Sequence, residues 1–310
     1  MAAPDRTRYF PQMTSRRDFL LALGTSALAP AILGAADRAH TRHEARLDSR
    51  SDMTTARAGI LKGVGIQMYM MRDEMKADLE ASLARVARLG YEEVEWWGNW
   101  GRTPAQLRTL LDGLGLRAPT AHVGAEAFAP ARLDATLETA ATLGHHTIIV
   151  AGMGGAGHTD DADGWKRAAV LLSTAGAKAA PLGMRVGYHN HAGEFKKHGT
   201  RSALEILMQE SDAATVDVQL DCFWAFKGGQ DPLGFLRAHK DRIAQLHLKD
   251  AAAASPHAQV DLGKGTIDWR ALISTGVSQR VTNITLDMDD PADAWASAGS
   301  CRAYLRGLGY

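Results

Sequence analysis

Met184-Arg185-Val186-Gly187-Tyr188-His189-Asn190-His191-Ala192-Gly193-Glu194 is a short apolar run that stops in imidazoles and a carboxylate, and the pattern recurs downstream. Val216–Leu220 stops at Asp221, Ile243–Leu246 stops at His247, and Ile284–Leu286 stops at Asp287. Runs this short, bounded by turn signals, read as buried strands. Side chains so far apart in sequence, each at the carboxyl end of a strand, converge only if the strands are parallel and closed on themselves. In a (β/α)8 barrel that face carries the active site. The chain therefore reads as an α/β protein, a (β/α)8 TIM barrel, with candidate metal ligands at its mouth.

Working outward, the alternation extends from Gly63 to the C-terminus. Strands are predicted at Val64–Met68, Glu93–Trp97, Ala118–His122, Thr147–Ala151, Arg185–His189, Val216–Asp221, Ile243–Leu248 and Asn283–Met288. Helices are predicted between and after them, at Asp78–Leu89, Pro104–Leu114, Ala131–Leu143, Gly164–Leu182, Ser202–Met208, Pro232–His239, Trp269–Ser274 and Ala292–Leu308. Leu79, Leu83, Val86 and Leu89 mark one helical face, and several helices end in Leu-Gly, as C-caps do. No Gly-x-Gly-x-x-Gly follows the first strand, so a dinucleotide fold has little support. Gly152-Met153-Gly154-Gly155-Ala156-Gly157 reads as a loop over the mouth rather than a phosphate cradle.

The first residues look like an address rather than a fold. Ser15-Arg16-Arg17-Asp18-Phe19-Leu20 opens an apolar run to Leu33, followed by small residues at Gly34-Ala35-Ala36. That is the layout of an export signal. The paired arginines resemble the twin-arginine type, with Leu21 where a lysine often stands. The run is shorter than the roughly 20 residues a spanning helix needs, so no stable membrane insertion is expected after cleavage. The expected organisation is a signal peptide over 1–36, a disordered tether over 37–58 and one catalytic barrel over 59–310, located in the periplasm.

Of the chain's 35 Lys+Arg and 35 Asp+Glu, 9 and 6 fall in residues 1–58, which leaves 26 against 29 and a net charge of −3 for the barrel. A mildly acidic domain argues against nucleic acid as the main partner, since phosphate contacts need clustered Lys and Arg. Two cysteines, Cys222 and Cys301, form no disulfide framework and are expected free and buried.

Two imidazoles and two carboxylates suit one Mn, Co, Fe or Zn ion. Asp221, His247 and Asp287 supply three ligands, and the fifth strand the fourth, with His189, His191 and Glu194 competing. A lone strand-end Asp often caps the following helix instead. Lys249 either faces substrate oxygens or pairs with Asp250.

Several stretches together carry a family resemblance. They are Gln67-Met68-Tyr69-x-x-Arg72, Gly90-Tyr91-x-x-Val94-Glu95, His122, Tyr188-His189-Asn190-His191-x-x-Glu194-Phe195, His247-Leu248-Lys249-Asp250 and Gly263-Lys264-Gly265-Thr266-Ile267-Asp268. They resemble the xylose-isomerase-like sugar phosphate isomerase/epimerase barrels over essentially the whole chain after Gly63. The resemblance implies one divalent ion held by His189, with Glu194 nearby, Asp221, His247 and Asp287. It implies substrate contacts from Glu95, Gln67, Tyr69, Trp97, His122 and His191. The eighth strand departs from the family's usual Val-Glu-Gln-Asp, reading Leu286-Asp287-Met288-Asp289. The shorter carboxylate reaches a metal but reaches a substrate carbon less well. His189 likewise stands where several relatives carry a metal-binding Glu.

The expected activity is sugar isomerisation or epimerisation by proton abstraction next to a carbonyl, through an enediolate. Glu194 or Glu95 is the base, and Lys249 helps carry the developing charge. A lyase acting on a keto-sugar or 3-keto-glycoside shares the intermediate and is the alternative. A non-catalytic sugar-binding protein on the same scaffold is the reading from a different class. The expected partner is a small sugar or keto-sugar, and a homo-oligomer is compatible with the sequence.

Overall fold

The computed structural model describes residue 61 and residues 63–154, 158–255 and 258–310. The expected signal peptide and tether lie outside the described residues, as does Gly155-Ala156-Gly157 of the glycine-rich loop. Among the described residues no helix is long and apolar enough to cross a membrane.

Eight parallel strands close into a barrel: β1 (Val64–Gln67), β2 (Glu93–Trp96), β3 (Arg117–Val123), β4 (Thr147–Val150), β5 (Arg185–His189), β6 (Val216–Asp221), β7 (Ile243–Leu248) and β8 (Asn283–Leu286). Each pairs with its sequence neighbours, and β1 closes the ring by pairing with β8 through Val64↔Ile284. The helices that return the chain are α1 (Leu79–Leu89), α2 (Pro104–Gly113), α3 (Pro130–Leu143), α4 (Ala162–Ala179), α5 (Ala203–Glu210), α6 (Pro232–Ala238), α7 (Trp269–Gln279) and α8 (Ala294–Leu308). The expected fold and all eight strands are present, with ends shifted by a residue or two.

Local chemistry explains the boundaries. Asp78 caps α1 by accepting from the Ala81 amide, and Gly90 ends it at φ 88°, a left-handed conformation that glycine adopts without cost. Thr103 and Gln106 form a reciprocal capping box with Pro104 at the first helical position of α2. Helix α7 runs five residues beyond the expected Ser274, because Ile273 and Gly276 pack into the core and carry the helix past its polar residues. Short helices at Arg72–Ala77 and Cys222–Lys227 and two small hairpins, in the loops after β5 and β7, were not foreseen.

The two faces of the strands differ sharply. Ile66, Val94, Val186, Val218, Leu220, Leu246, Leu248, Ile284 and Leu286 are buried apolar residues. The alternate positions Gln67, Glu95, His189, Gln219, Asp221, Gln245, His247 and Thr285 are equally buried but polar. Period-two alternation puts these two sets on opposite faces. Glu95 of β2 bonds to His247 of β7 and to Gln219 of β6, strands that are not its neighbours, so the polar set lines the lumen. Barrel interiors are usually filled by bulky branched residues; this one is filled by a hydrogen-bonded polar network.

Candidate metal centre and active site

Asp221 and His247 sit side by side in the β6–β7 register, and Asp287 follows β8 directly. Each of these three offers a ligand atom within 4.8 Å of the other two. His122, His189 and His247 form a second such group, sharing His247 with the first. All five residues are buried.

The surroundings orient each candidate ligand. Asn190 clamps the Asp221 backbone, donating to its carbonyl at 3.2 Å and accepting from its amide at 3.0 Å. Asp221 Oδ1 caps the following helix through the Trp224 amide at 2.7 Å, while Oδ2 has no hydrogen-bond partner. The capping contact therefore uses one oxygen and leaves the other facing Lys249, so capping does not compete with a ligand role. His247 Nε2 faces Glu95 Oε1 at 2.6 Å, and its Nδ1, 3.4 Å from Asp287 Oδ2, has no hydrogen-bond partner. His189 Nδ1 lies 3.0 Å from Gln219 Oε1, and its Nε2 is bare.

Lys249 is wholly buried, with its ammonium 2.8 Å from Asp287, 3.0 Å from Asp289 and 3.3 Å from Asp221. Of these contacts the one to Asp289 has hydrogen-bond geometry; the other two are ion-pair distances without that alignment. Lys249 thus pairs with three carboxylates and not with Asp250.

The charges are strongly perturbed. Burial raises the Asp221 carboxyl against the pull of Lys249 and His247. Burial would also raise Asp287, but Lys249 and His247 outweigh it and hold it below the usual range. Burial would depress His247, yet Glu95 and Asp287 push it up to about 10. His189 is driven well below its ordinary value by burial and by its cationic neighbours, which keeps it neutral.

Buried donors without partners are costly, and here they cluster. His189 and His247 each keep a nitrogen without a hydrogen-bond partner, and Asp221 and Asp287 turn carboxylate oxygens without aligned hydrogen bonds toward the Lys249 ammonium. Two imidazoles and two carboxylates of this kind fit one divalent ion.

The remaining expected site residues separate into scaffold and rim. Glu95 does not stand open to a substrate. Its two oxygens meet Gln67, Thr120, Gln219, His122 and His247 at 2.6–2.9 Å. Burial would raise its carboxyl, but His122 and His247 hold it well below the usual range, which makes it a poor base. Gln67 is buried under the mouth, bonded to Glu95 and to the Tyr69 amide. Glu194 accepts from Tyr188 Oη at 2.8 Å and from the His191 amide at 2.9 Å, so it ties down the loop after β5. The expected base, Glu194 or Glu95, is thus a carboxylate already engaged by hydrogen bonds in either case.

Tyr69, Trp97 and Trp100 are half-buried and meet edge to face, with centroids 5.0 and 5.3 Å apart. Trp96 is not with them; it alternates to the outer face of β2 and lies in the core. His191 is half-buried near Trp224, 5.4 Å between centroids. Gln219, Thr120, Asn190, Asp289 and Trp224 were missed. Gln219 had a signal: it stands two residues before Asp221 in an otherwise apolar run, hence on the same face.

Asp250 explains the glycine-rich stretch after β7. Its carboxylate accepts from the amides of Gly263, Gly265 and Ile267 at 3.0–3.2 Å and from the Trp269 indole at 3.0 Å. A Cβ on Gly265 would meet Asp250 Oδ1 at 2.2 Å, so only glycine fits. Cys222 and Cys301 are free and buried.

Comparison with known proteins gives the geometry its context. The sequence profile of the family described as xylose isomerase-like TIM barrel matches residues 83–293. The inosose dehydratase of Geobacillus kaustophilus is 29% identical over 217 residues, covering 63% of this chain and 68% of the relative. Other inosose dehydratases match over shorter stretches, about 29% of their own length. Among solved structures, a sugar phosphate isomerase/epimerase from Parabacteroides distasonis superposes with a TM-score of 0.68 at 22% identity, covering 78% of this chain and 97% of that one. The IolI protein, solved with a bound zinc atom, superposes with a TM-score of 0.62 at 14% identity, covering 79% and 97%. At these identities the structures speak for the fold alone. This chain belongs to the xylose isomerase-like TIM barrel family, and its relatives are sugar-modifying enzymes with a dehydratase among them.

Proposed function

We propose that the protein is a divalent-metal-dependent enzyme that removes a proton next to the carbonyl of a sugar or cyclic polyol ketone, with loss of a β-hydroxyl as water. The observation that carries this reading is the buried group of Asp221, His247 and Asp287 beside Lys249, joined through His247 to His189, with ring nitrogens and carboxylate oxygens that lack aligned hydrogen bonds. Those four residues would hold the ion. A bound divalent ion polarises a substrate carbonyl and acidifies the neighbouring C–H.

His191 is the side chain best placed to carry the proton: it sits at the rim, with Glu194 Oε1 4.0 Å from its Nδ1. A carboxylate behind an imidazole steadies it as a general base. The imidazolium so formed returns its proton to the departing β-hydroxyl, which leaves as water, so no external reactant is needed. Lys249, anchored by three carboxylates, would face the oxygen on which negative charge develops. Tyr69, Trp97 and Trp100 would stack on the C–H faces of the substrate.

Elimination is favoured over isomerisation because the curated relative with the longest alignment cited here is an inosose dehydratase. Reprotonation of the same carbanion at another carbon would give the isomerase or epimerase outcome. The test is incubation of the metal-loaded protein with inosose and with a 3-keto-glucoside in deuterated water. An unsaturated or dione product supports elimination; deuterium at the α-carbon without loss of a substituent supports isomerisation. Neither product nor exchange, together with an unchanged metal content in Asp221→Ala/His247→Ala, would sink the proposal. Tight sugar binding without turnover would point to a binding protein.

We also propose export to the periplasm by the twin-arginine route, supported by Arg16-Arg17 and the apolar run to Leu33. N-terminal sequencing of the protein recovered from the periplasm, against an Arg16→Lys/Arg17→Lys variant, tests it.

A further inference from the structure

Three imidazoles of the lumen each keep one ring nitrogen without a partner: His122 Nδ1, His189 Nε2 and His247 Nδ1. Their tautomers follow from the network beneath them. Glu95 is an ionised carboxylate and can only accept. The Gln219 group 2.6 Å from Glu95 Oε2 is therefore its amide nitrogen, and Gln219 Oε1 is the accepting end. That oxygen lies 2.7 Å from His122 Nε2 and 3.0 Å from His189 Nδ1, so both nitrogens carry their protons. Glu95 Oε1 lies 2.6 Å from His247 Nε2, which carries its proton too. One buried Glu–Gln pair thus turns an N–H of each of the three rings toward itself and leaves the opposite nitrogen of each ring without a hydrogen-bond partner.

The three rings pack together, with centroids 4.9, 5.3 and 4.7 Å apart. One nitrogen from each lies within 4.8 Å of the others, and His247 belongs equally to the group formed by Asp221 and Asp287. Buried imidazole nitrogens without a hydrogen-bond partner cost free energy. A substrate hydroxyl could meet one of them; a cation held by the three rings would take one nitrogen from each.

We infer that His122 is a metal ligand, and that it belongs to a nitrogen-rich site of three imidazoles from β3, β5 and β7, adjoining the carboxylates of Asp221 and Asp287 through the shared His247. The inference rests on the metal-dependent reading above and goes beyond it by adding His122 from the third strand and by stating which ions the site takes. Imidazole-rich sites favour Zn, Co or Cu over Mg and Mn, for which oxygen donors are better suited.

The full chain loaded with Cu(II) as a probe would be studied by pulsed EPR, which counts coordinated imidazoles through their remote nitrogens. Three are expected in the native protein and two in His122→Asn. In parallel, Zn is expected to displace Mn, and His122→Asn is expected to weaken Zn binding at least about tenfold. Bound Cu(II) with two imidazoles in the native protein overturns the assignment of His122 while leaving the metal centre intact. A protein that takes up no divalent ion overturns the assignment and the metal-dependent reading together. Because the native count decides the matter, a variant that fails to fold does not shelter the inference.

Discussion

Glu95 Oε1 lies 2.6 Å from His247 Nε2, across the lumen between the second and seventh strands of the barrel. The contact turns the other nitrogen of His247 toward Asp287. A carboxylate behind a ligating histidine sets its tautomer and raises its basicity. Glu95 is on this geometry a positioning residue, two atoms removed from any ion.

Replacing Glu95 with Gln should therefore weaken metal binding without abolishing it. The expected loss is about 10- to 100-fold in affinity. Competition against a chromophoric chelator measures it, and an unchanged affinity would show that His247 is oriented by something else.

Lys249→Met separates metal binding from turnover. The ammonium touches Asp221, Asp287 and Asp289 but offers no lone pair to a cation. Metal content should be retained while kcat falls by about 10²–10³, the usual cost of losing a group that stabilises developing charge. Both are read on one preparation. Loss of the metal along with activity would mean that the ammonium serves the carboxylates rather than the substrate.

Asp250 is expected to matter for stability and not for chemistry. Asp250→Ala strands four amides, that of Ala251 included, and an indole N–H, at a cost of about 3 kcal/mol or more. Gly265→Ala, whose Cβ would collide with the same carboxylate, should cost about 1–3 kcal/mol. Thermal unfolding of both variants checks this, with Lys264→Ala as the control, since among the described residues that exposed side chain pairs with Asp261 in the same loop.

His145 contributes a pH dependence away from the site. Burial is the main cause that lowers it from 6.5 to about 4, and its Nδ1 lies 2.6 Å from the Ala118 carbonyl. Between those values the unfolded chain binds a proton that the folded chain refuses, so stability falls as pH falls. The contribution is fully present above about pH 6.5 and is lost toward pH 4, on the order of 3 kcal/mol in all. Urea midpoints for the native protein and His145→Gln should converge as the pH drops through this window; parallel curves would refute the assignment.

The scaffold and the ligand-bearing strand ends were legible because both obey short periods. Val216-Asp217-Val218-Gln219-Leu220-Asp221 states its own geometry: Val218 and Leu220 face the helices, and Gln219 and Asp221 face the lumen. The same alternation at Gln245/His247 and Thr285/Asp287 places a polar residue beneath the candidate ligands of β6, β7 and β8; beneath His189 stands Gly187. The sequence reading used the last residue of each run and overlooked the one two positions earlier.

Roles were harder to read than positions. Glu95 and Glu194 look alike in sequence as carboxylates near strand ends, yet one is enclosed by five partners inside the barrel and the other anchors a loop through Tyr188. Those partners come from strands 25 to 152 residues away for Glu95, a separation that local patterning does not span.

By itself the sequence determined the eight strands, the mouth of the barrel and the residue types that converge there, since side-chain alternation and helix capping act between residues close along the chain. Closure of the barrel decided what each group does. It brought Glu95 and Gln219 against three histidines and Lys249 among three carboxylates, and inside the buried lumen the proton on each ring is set by whichever partner lies within 3 Å.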